Sequence, residues 1–227
     1  MSASTPWILW FCSLKGNQIF APVEAEFIRD AFNLFGLKPK FKDYAVATRV
    51  ILGDEIPPHD LSSLTEESRL ALNEAVELYG LIHARYILTQ TGLTIMAQKY
   101  KEGVFGVCPR ILCQKQAVLP IGISEELRQH RCRVYCPNCQ EVYIPRGELI
   151  GASDIDGAFF GTTFPHMLLM ADPRLVSPTV PIPHIPQLFG FKQYGVKSVV
   201  LQKVDNGEYG VCAREQMGSQ NDARYVK

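Results

Sequence analysis

Apolar residues in the first hundred positions return every three or four residues, the repeat of helices with one face turned to a core. Residues 24–35 place Phe27, Ile28, Ala31, Leu34 and Phe35 on one stripe, closed by Gly36. This pattern predicts a helix with a C-terminal glycine. Residues 43–52 repeat it with Ala47, Val50 and Ile51, again ending at a glycine. Residues 53–68 carry Asp54, Glu55, Asp60, Glu66 and Glu67 but no Lys or Arg, and Pro57 and Pro58 make the stretch a loop. Ser63 and Glu66 have capping-box spacing for the next helix. That helix, 65–89, starts polar and ends apolar on most faces (Leu78, Tyr79, Leu81, Ile82, Ala84, Ile87, Leu88), so it should lie buried among others. His83 inside it reads as a core histidine with satisfied hydrogen bonds. Thr91-Gly92 breaks the chain, and a short helix runs to Lys101.

The pattern changes at Gly103. Val134, Tyr135 and then Val142, Tyr143 and Ile144 alternate as strands do. Residues 151–170 are rich in Gly and Phe, without a predicted element. Five prolines (Pro173, Pro178, Pro181, Pro183, Pro186) predict an extended arm over 173–186. Residues 187–202 suggest a hairpin around Gly195, and the polar chain beyond about 205 reads as a loose tail. The fold class expected is α+β. An all-helical domain (1–103) precedes a ribbon (104–170) and an arm with hairpin and tail (171–227).

The candidate chemistry lies in the ribbon. Cys108-Pro-Arg-Ile-Leu-Cys113 and Cys136-Pro-Asn-Cys139 form a C-x4-C pair and a C-x2-C pair, 22 residues apart. Two close pairs separated by one hairpin's length can converge, and four thiolates complete a tetrahedron around Zn²⁺. Such a site leaves no position open for water. One structural zinc per chain is therefore expected, held by Cys108, Cys113, Cys136 and Cys139. The turn Cys-Pro-Asn-Cys can aim backbone N–H groups at its sulfurs. A thioredoxin-like pair would need one Cys-x-x-Cys at the head of a helix, whereas strand-like residues follow Cys139. Cys132 lacks a surrounding turn and reads as a bystander; Cys12 and Cys212 read as free thiols.

Composition narrows the function. The 227 residues carry 23 basic and 23 acidic side chains, and the ribbon six of each. This balance disfavours nucleic acid as the chief partner. The chain is 47% apolar, enough for a real core. No apolar run is long enough to cross a membrane, and the N-terminus lacks a signal peptide's basic start, so an intracellular protein is expected. No phosphate loop, dinucleotide fingerprint, kinase catalytic motif or serine elbow is present. Exposed apolar strand residues such as Val142 would suit dimerisation of a small ribbon.

The segments Leu78-Tyr79-Gly80-Leu81-Ile82-His83-Ala84-Arg85-Tyr86, Gly106-Val107-Cys108-Pro109-Arg110 and Leu119-Pro120-Ile121-Gly122 resemble the casein kinase II beta (regulatory) subunit family. So do Tyr135-Cys136-Pro137-Asn138-Cys139, Asp156-Gly157-Ala158-Phe159-Phe160-Gly161-Thr162, Pro165-His166-Met167 and Leu188-Phe189-Gly190-Phe191-Lys192. With Trp7-Ile8-Leu9-Trp10-Phe11-Cys12, the likeness runs collinearly from about residue 7 to about 200.

The resemblance implies a non-catalytic regulatory subunit of a Ser/Thr protein kinase involved in signalling, in cytoplasm and nucleus. It implies a homodimer through the zinc ribbon, with two catalytic subunits of casein kinase II completing a tetramer. It would modulate the kinase's stability, activity and choice of protein substrates. The kinase-docking positions implied are Leu188, Phe189 and Phe191, with the aromatics two residues apart on an extended segment and pointing the same way. The family usually has Tyr where Phe189 stands, which removes a hydroxyl and keeps the apolar contact. Its dense acidic loop is reduced here to Asp54, Glu55, Asp60, Glu66 and Glu67. A zinc-ribbon adaptor in a transcription or nucleic-acid complex is the alternative reading.

Overall fold

The computed structural model describes residues 4–53, 65–145, 155–176, 181–193, 195 and 197–207. Five helices come first: α1 (Pro6–Ser13), α2 (Ala25–Arg29), α3 (Tyr44–Leu52), α4 (Glu66–Tyr86) and α5 (Gln90–Lys101). An antiparallel sheet follows, in the order β1 (Leu119–Ile121), β2 (Arg133–Cys136) and β3 (Glu141–Tyr143). Then come α6 (Phe164–Ala171), a two-stranded hairpin of β4 (Gln187–Leu188) and β5 (Phe191–Lys192), and α7 (Val199–Asp205). Helices and small antiparallel sheets occupy separate stretches of chain, an α+β fold.

Helix α4 organises the core. Leu78, Tyr79, Ile82 and His83 are fully buried on it. Tyr79 and His83, one turn apart, grip the extended segment Phe20–Val23. The Tyr79 hydroxyl donates to the Ala21 carbonyl (2.9 Å) and accepts from the Val23 N–H (3.3 Å), while the Ala21 N–H donates to His83 Nε2 (3.0 Å). Buried backbone that belongs to no helix or sheet thus finds its partners in α4 side chains. On another face of α4, Gly80 lets the ring of Phe159 approach so closely that an added Cβ would stand 2.0 Å from Phe159 Cδ1. Phe159 lies in the 3₁₀ turn Gly157–Phe159, later in the chain than the three-stranded sheet. His83 packs edge to face against Phe20 (4.9 Å) and Phe160 (5.2 Å), whose own rings meet at a tilt (5.3 Å), so one aromatic cluster joins the N-terminal segment, α4 and this turn.

Helix α3 matches the expectation, and α4 begins where its N-cap is Thr65, whose hydroxyl accepts from the Ser68 N–H. Ser63, expected to cap it, lies outside the described residues. Other expectations are corrected. The helix over 24–35 stops at Arg29, because the Asp30 carboxylate accepts the Phe32 N–H (2.9 Å) and its own backbone is extended. Phe35, assigned to the core stripe, is exposed. Gly92 does not break the chain. It lies inside α5, where an added Cβ would meet the Tyr86 carbonyl at 2.1 Å, so it permits tight packing across the α4–α5 turn. The hairpin turns at Phe189–Gly190 rather than around Gly195, and Val199–Asp205 is helical. The arm opens with a 3₁₀ turn, Pro173–Leu175, while 181–186 carry no regular structure. Strand β1 and helix α6 were not predicted.

Candidate metal centre and docking hairpin

The two cysteine pairs sit on two turns of similar construction. Cys108 precedes the turn that carries Arg110, and Cys113 closes it at the end of the 3₁₀ turn Ile111–Cys113; its N–H donates to the Arg110 carbonyl (2.9 Å). Cys136 ends β2, and the Gln140 N–H returns to its carbonyl (2.8 Å) just before β3. Each turn is left through non-glycine residues in the left-handed region, Gln114 (φ 52°) and Lys115 (φ 61°) on the first and Gln140 (φ 57°) on the second. The β2–β3 pairing, with Cys136 opposite Glu141, closes the second turn.

The four sulfurs converge. All lie within 4.8 Å of one another, and all four residues are buried. Four thiolates about 2.3 Å from a tetrahedral Zn²⁺ stand about 3.8 Å apart, so the cluster suits such an ion with little contraction. The charges favour the same conclusion. Burial pushes the Cys108 thiol up to about 12, the Arg110 N–H lowering it only in part. A hydrogen bond from Cys136 draws Cys139 down to about 5, helped by the Tyr143 hydroxyl at 3.2 Å and the Glu141 N–H, and the same bond drives Cys136 well up. Four thiolates cannot coexist here unless a cation holds them, and the residues present fit that cation. Cys132 is fully buried and stands outside the cluster, its Sγ near the Arg133 carbonyl (3.4 Å). Cys12 is half-buried against the Tyr79 hydroxyl (3.5 Å); Cys212 lies outside the described residues.

The turns carry neighbours that spacing did not disclose. The Arg110 guanidinium donates to Cys113 Sγ (3.5 Å) and to the Ile182 carbonyl in the arm (2.5 Å). The only sequence signal was a basic residue two places after a cysteine. Around the site Val107, Ile111, Val142 and Ile144 are exposed, with Ile111 open over 91% of its surface.

The hairpin places Leu188 opposite Phe191. Between them Phe189 (φ 50°) and Gly190 (φ 86°) make a two-residue loop with both central residues left-handed, the twist that suits a tight hairpin. Phe189 therefore stands in the turn itself, not on an extended segment as expected. Its side chain is 93% exposed, Phe191's 78% and Leu188's 56%, which gathers three large apolar groups on a solvent-facing tip. A bulky residue held left-handed costs about 1–2 kcal/mol, and Phe189 buries too little surface to offset it. Of the acidic group, Glu66 and Glu67 are exposed in the first turn of α4, and Asp54, Glu55 and Asp60 lie outside the described residues.

Among the described residues no helix is long and apolar enough to cross a membrane. A sequence profile described as casein kinase II regulatory subunit matches residues 6–192. The chain is 45% identical over 187 residues to "Casein kinase II subunit beta" of Dictyostelium discoideum, covering 82% of this chain and 68% of that protein. It is 44% identical over 191 residues to "Casein kinase II subunit beta'" of Drosophila melanogaster, covering 84% and 85% of the two chains. Over 199 residues it is 43% identical to "Casein kinase II subunit beta" of Schizosaccharomyces pombe, covering 88% and 83%. The matched region includes both cysteine turns, helix α4 and the hairpin, and its function is regulatory rather than catalytic. The chain belongs to the casein kinase II regulatory subunit family.

Proposed function

We propose that this chain is a zinc-dependent dimer that docks two catalytic subunits of casein kinase II and so forms a tetramer, acting in cytoplasm and nucleus. The helical part (1–103) supplies the rigid body, the ribbon (104–170) the dimer contact, and the arm with its hairpin (171–227) the kinase contact. Zn²⁺ at Cys108, Cys113, Cys136 and Cys139 holds the ribbon folded. The exposed residues Val107, Ile111, Val142 and Ile144 support a self-association surface, since a ribbon this small otherwise leaves its apolar side chains in water. By joining two kinases to one body the dimer would steady them and present protein substrates.

The observation that carries the docking role is the hairpin tip. Leu188, Phe189 and Phe191 sit together, exposed, on a strained turn whose own burial among the described residues does not offset the strain. Large aromatics that enter a partner's groove are the residues that dominate interface energies. Titration calorimetry against the catalytic subunit should show Phe191→Ala weakening binding by about 2 kcal/mol or more. Unchanged affinity in both Phe189→Ala and Phe191→Ala would sink the assignment.

A further inference from the structure

The hairpin is fastened on both sides, and each fastening ends on a cysteine turn. Upstream, Arg110 of the first turn donates to the carbonyl of Ile182, four residues before the Pro186 carbonyl that accepts the Gln193 N–H at the hairpin's base. The segment between contains Pro183 and Pro186, so it is stiff, and a fixed Ile182 constrains where the hairpin begins. Downstream, Lys203 on α7 pairs with Glu141 (2.8 Å) and donates to the Gln140 carbonyl (3.3 Å), the two residues that follow Cys139. The Lys203 side chain is only 17% exposed, so this pair is partly withdrawn from water. The hairpin strands span only two residues each and their side chains are exposed, so the hairpin's own packing does little to fix its direction.

We propose that Arg110 and Lys203 are positioning residues that make presentation of the docking hairpin depend on the intact four-cysteine site. Arg110 bridges two acceptors at once, Cys113 Sγ and the Ile182 carbonyl. A planar guanidinium with a fixed fork of donors suits that task where a lysine would not. Because one planar head makes both bonds, the position of Cys113 in the turn and the position of Ile182 in the arm fix each other. When the turn opens, both fastenings lose their base and the hairpin no longer stands in one direction. The metal centre then governs the kinase-binding surface as well as the ribbon's fold. This inference rests on the docking reading above.

The test uses full-length Arg110→Met and Lys203→Met, which keep the alkyl stems and remove the donors. Zinc content is measured on both. If Arg110→Met loses metal, Lys203→Met still tests the idea, since its partners are Gln140 and Glu141 rather than a cysteine. The first readout is limited trypsin cleavage after Lys192, followed by mass, which reports local opening of the hairpin. Cleavage several-fold faster than wild type in zinc-loaded protein is expected; a wild-type rate in both variants overturns the tether whatever the affinity does. The second readout is affinity for the catalytic subunit, expected to fall about tenfold in each variant. That loss should vanish on a Phe191→Ala background, because a tether acts only through the tip. Faster cleavage with wild-type affinity overturns the link to docking. If Phe189→Ala and Phe191→Ala themselves bind normally, the docking reading falls alone, and the cleavage result still decides the tether.

Discussion

His83 on α4 donates its Nδ1 proton to the carbonyl oxygen of Phe159, 2.7 Å away and 76 residues later in the chain. The tautomer follows from the other side of the ring, where the Ala21 N–H donates to Nε2. One buried imidazole therefore satisfies two backbone groups from two distant segments. His83→Ala would orphan both and leave a hole in the aromatic cluster. We expect a loss of about 3–5 kcal/mol in urea unfolding. A loss under 1 kcal/mol would show that the bridge is dispensable.

The same residue makes stability depend on pH. Burial is the main cause that lowers His83 to about 4 from 6.5, and the bond to Phe159 resists the shift in part. The folded state thus binds this proton less readily than the unfolded chain. His83 costs nothing above about pH 6.5 and destabilises progressively as pH falls from there toward 4, by up to about 3 kcal/mol. The stability difference between wild type and His83→Gln should shrink over that window. A difference constant from pH 7 to pH 4.5 would contradict it, and taking the difference cancels acid effects at the cysteines.

Gly80 tests the seat of Phe159. In an exposed helix Gly→Ala would stabilise by about 1 kcal/mol. Here the new methyl would fall inside the Phe159 ring, and overpacking of about 1–3 kcal/mol should win. Gly80→Ala is expected to lower the melting temperature, and Phe159→Leu in the same chain to recover part of the loss. A Gly80→Ala protein more stable than wild type would refute the close contact.

Cys108→Ser or Cys136→Ser should abolish stoichiometric zinc binding and the dimer together, because ribbon folding and coordination are one process. Metal analysis beside light-scattering mass checks both. A variant without metal that stays dimeric would separate the two surfaces.

Much of this was legible in the chain. The cysteine spacing foretold a cluster that the structure brings within reach of one ion, and α3 and α4 followed from apolar period together with their stop and cap signals. The failures have local causes. Asp30 captures an N–H that the helix over 24–35 would have needed, which a count of apolar positions cannot register. Gly92 looked like a breaker, although its role is to let α5 start against the Tyr86 carbonyl. Val199, Val200 and Leu201 read as strand residues, yet they lie in α7, whose Lys203 reaches the second cysteine turn. A side chain competing for one N–H, a close backbone approach across a tight turn, and a contact remote in sequence respectively overrode the local pattern.

The turn at Phe189 and Gly190 has a consequence for the timing of assembly. Its left-handed geometry is in place before any partner arrives, so shaping the tip is no part of the encounter. The association rate should then sit in the ordinary range for rigid proteins, about 10⁵–10⁷ M⁻¹s⁻¹, and change little between partners. Differences among them would appear in residence time: how long each pocket retains a tip that arrived already formed.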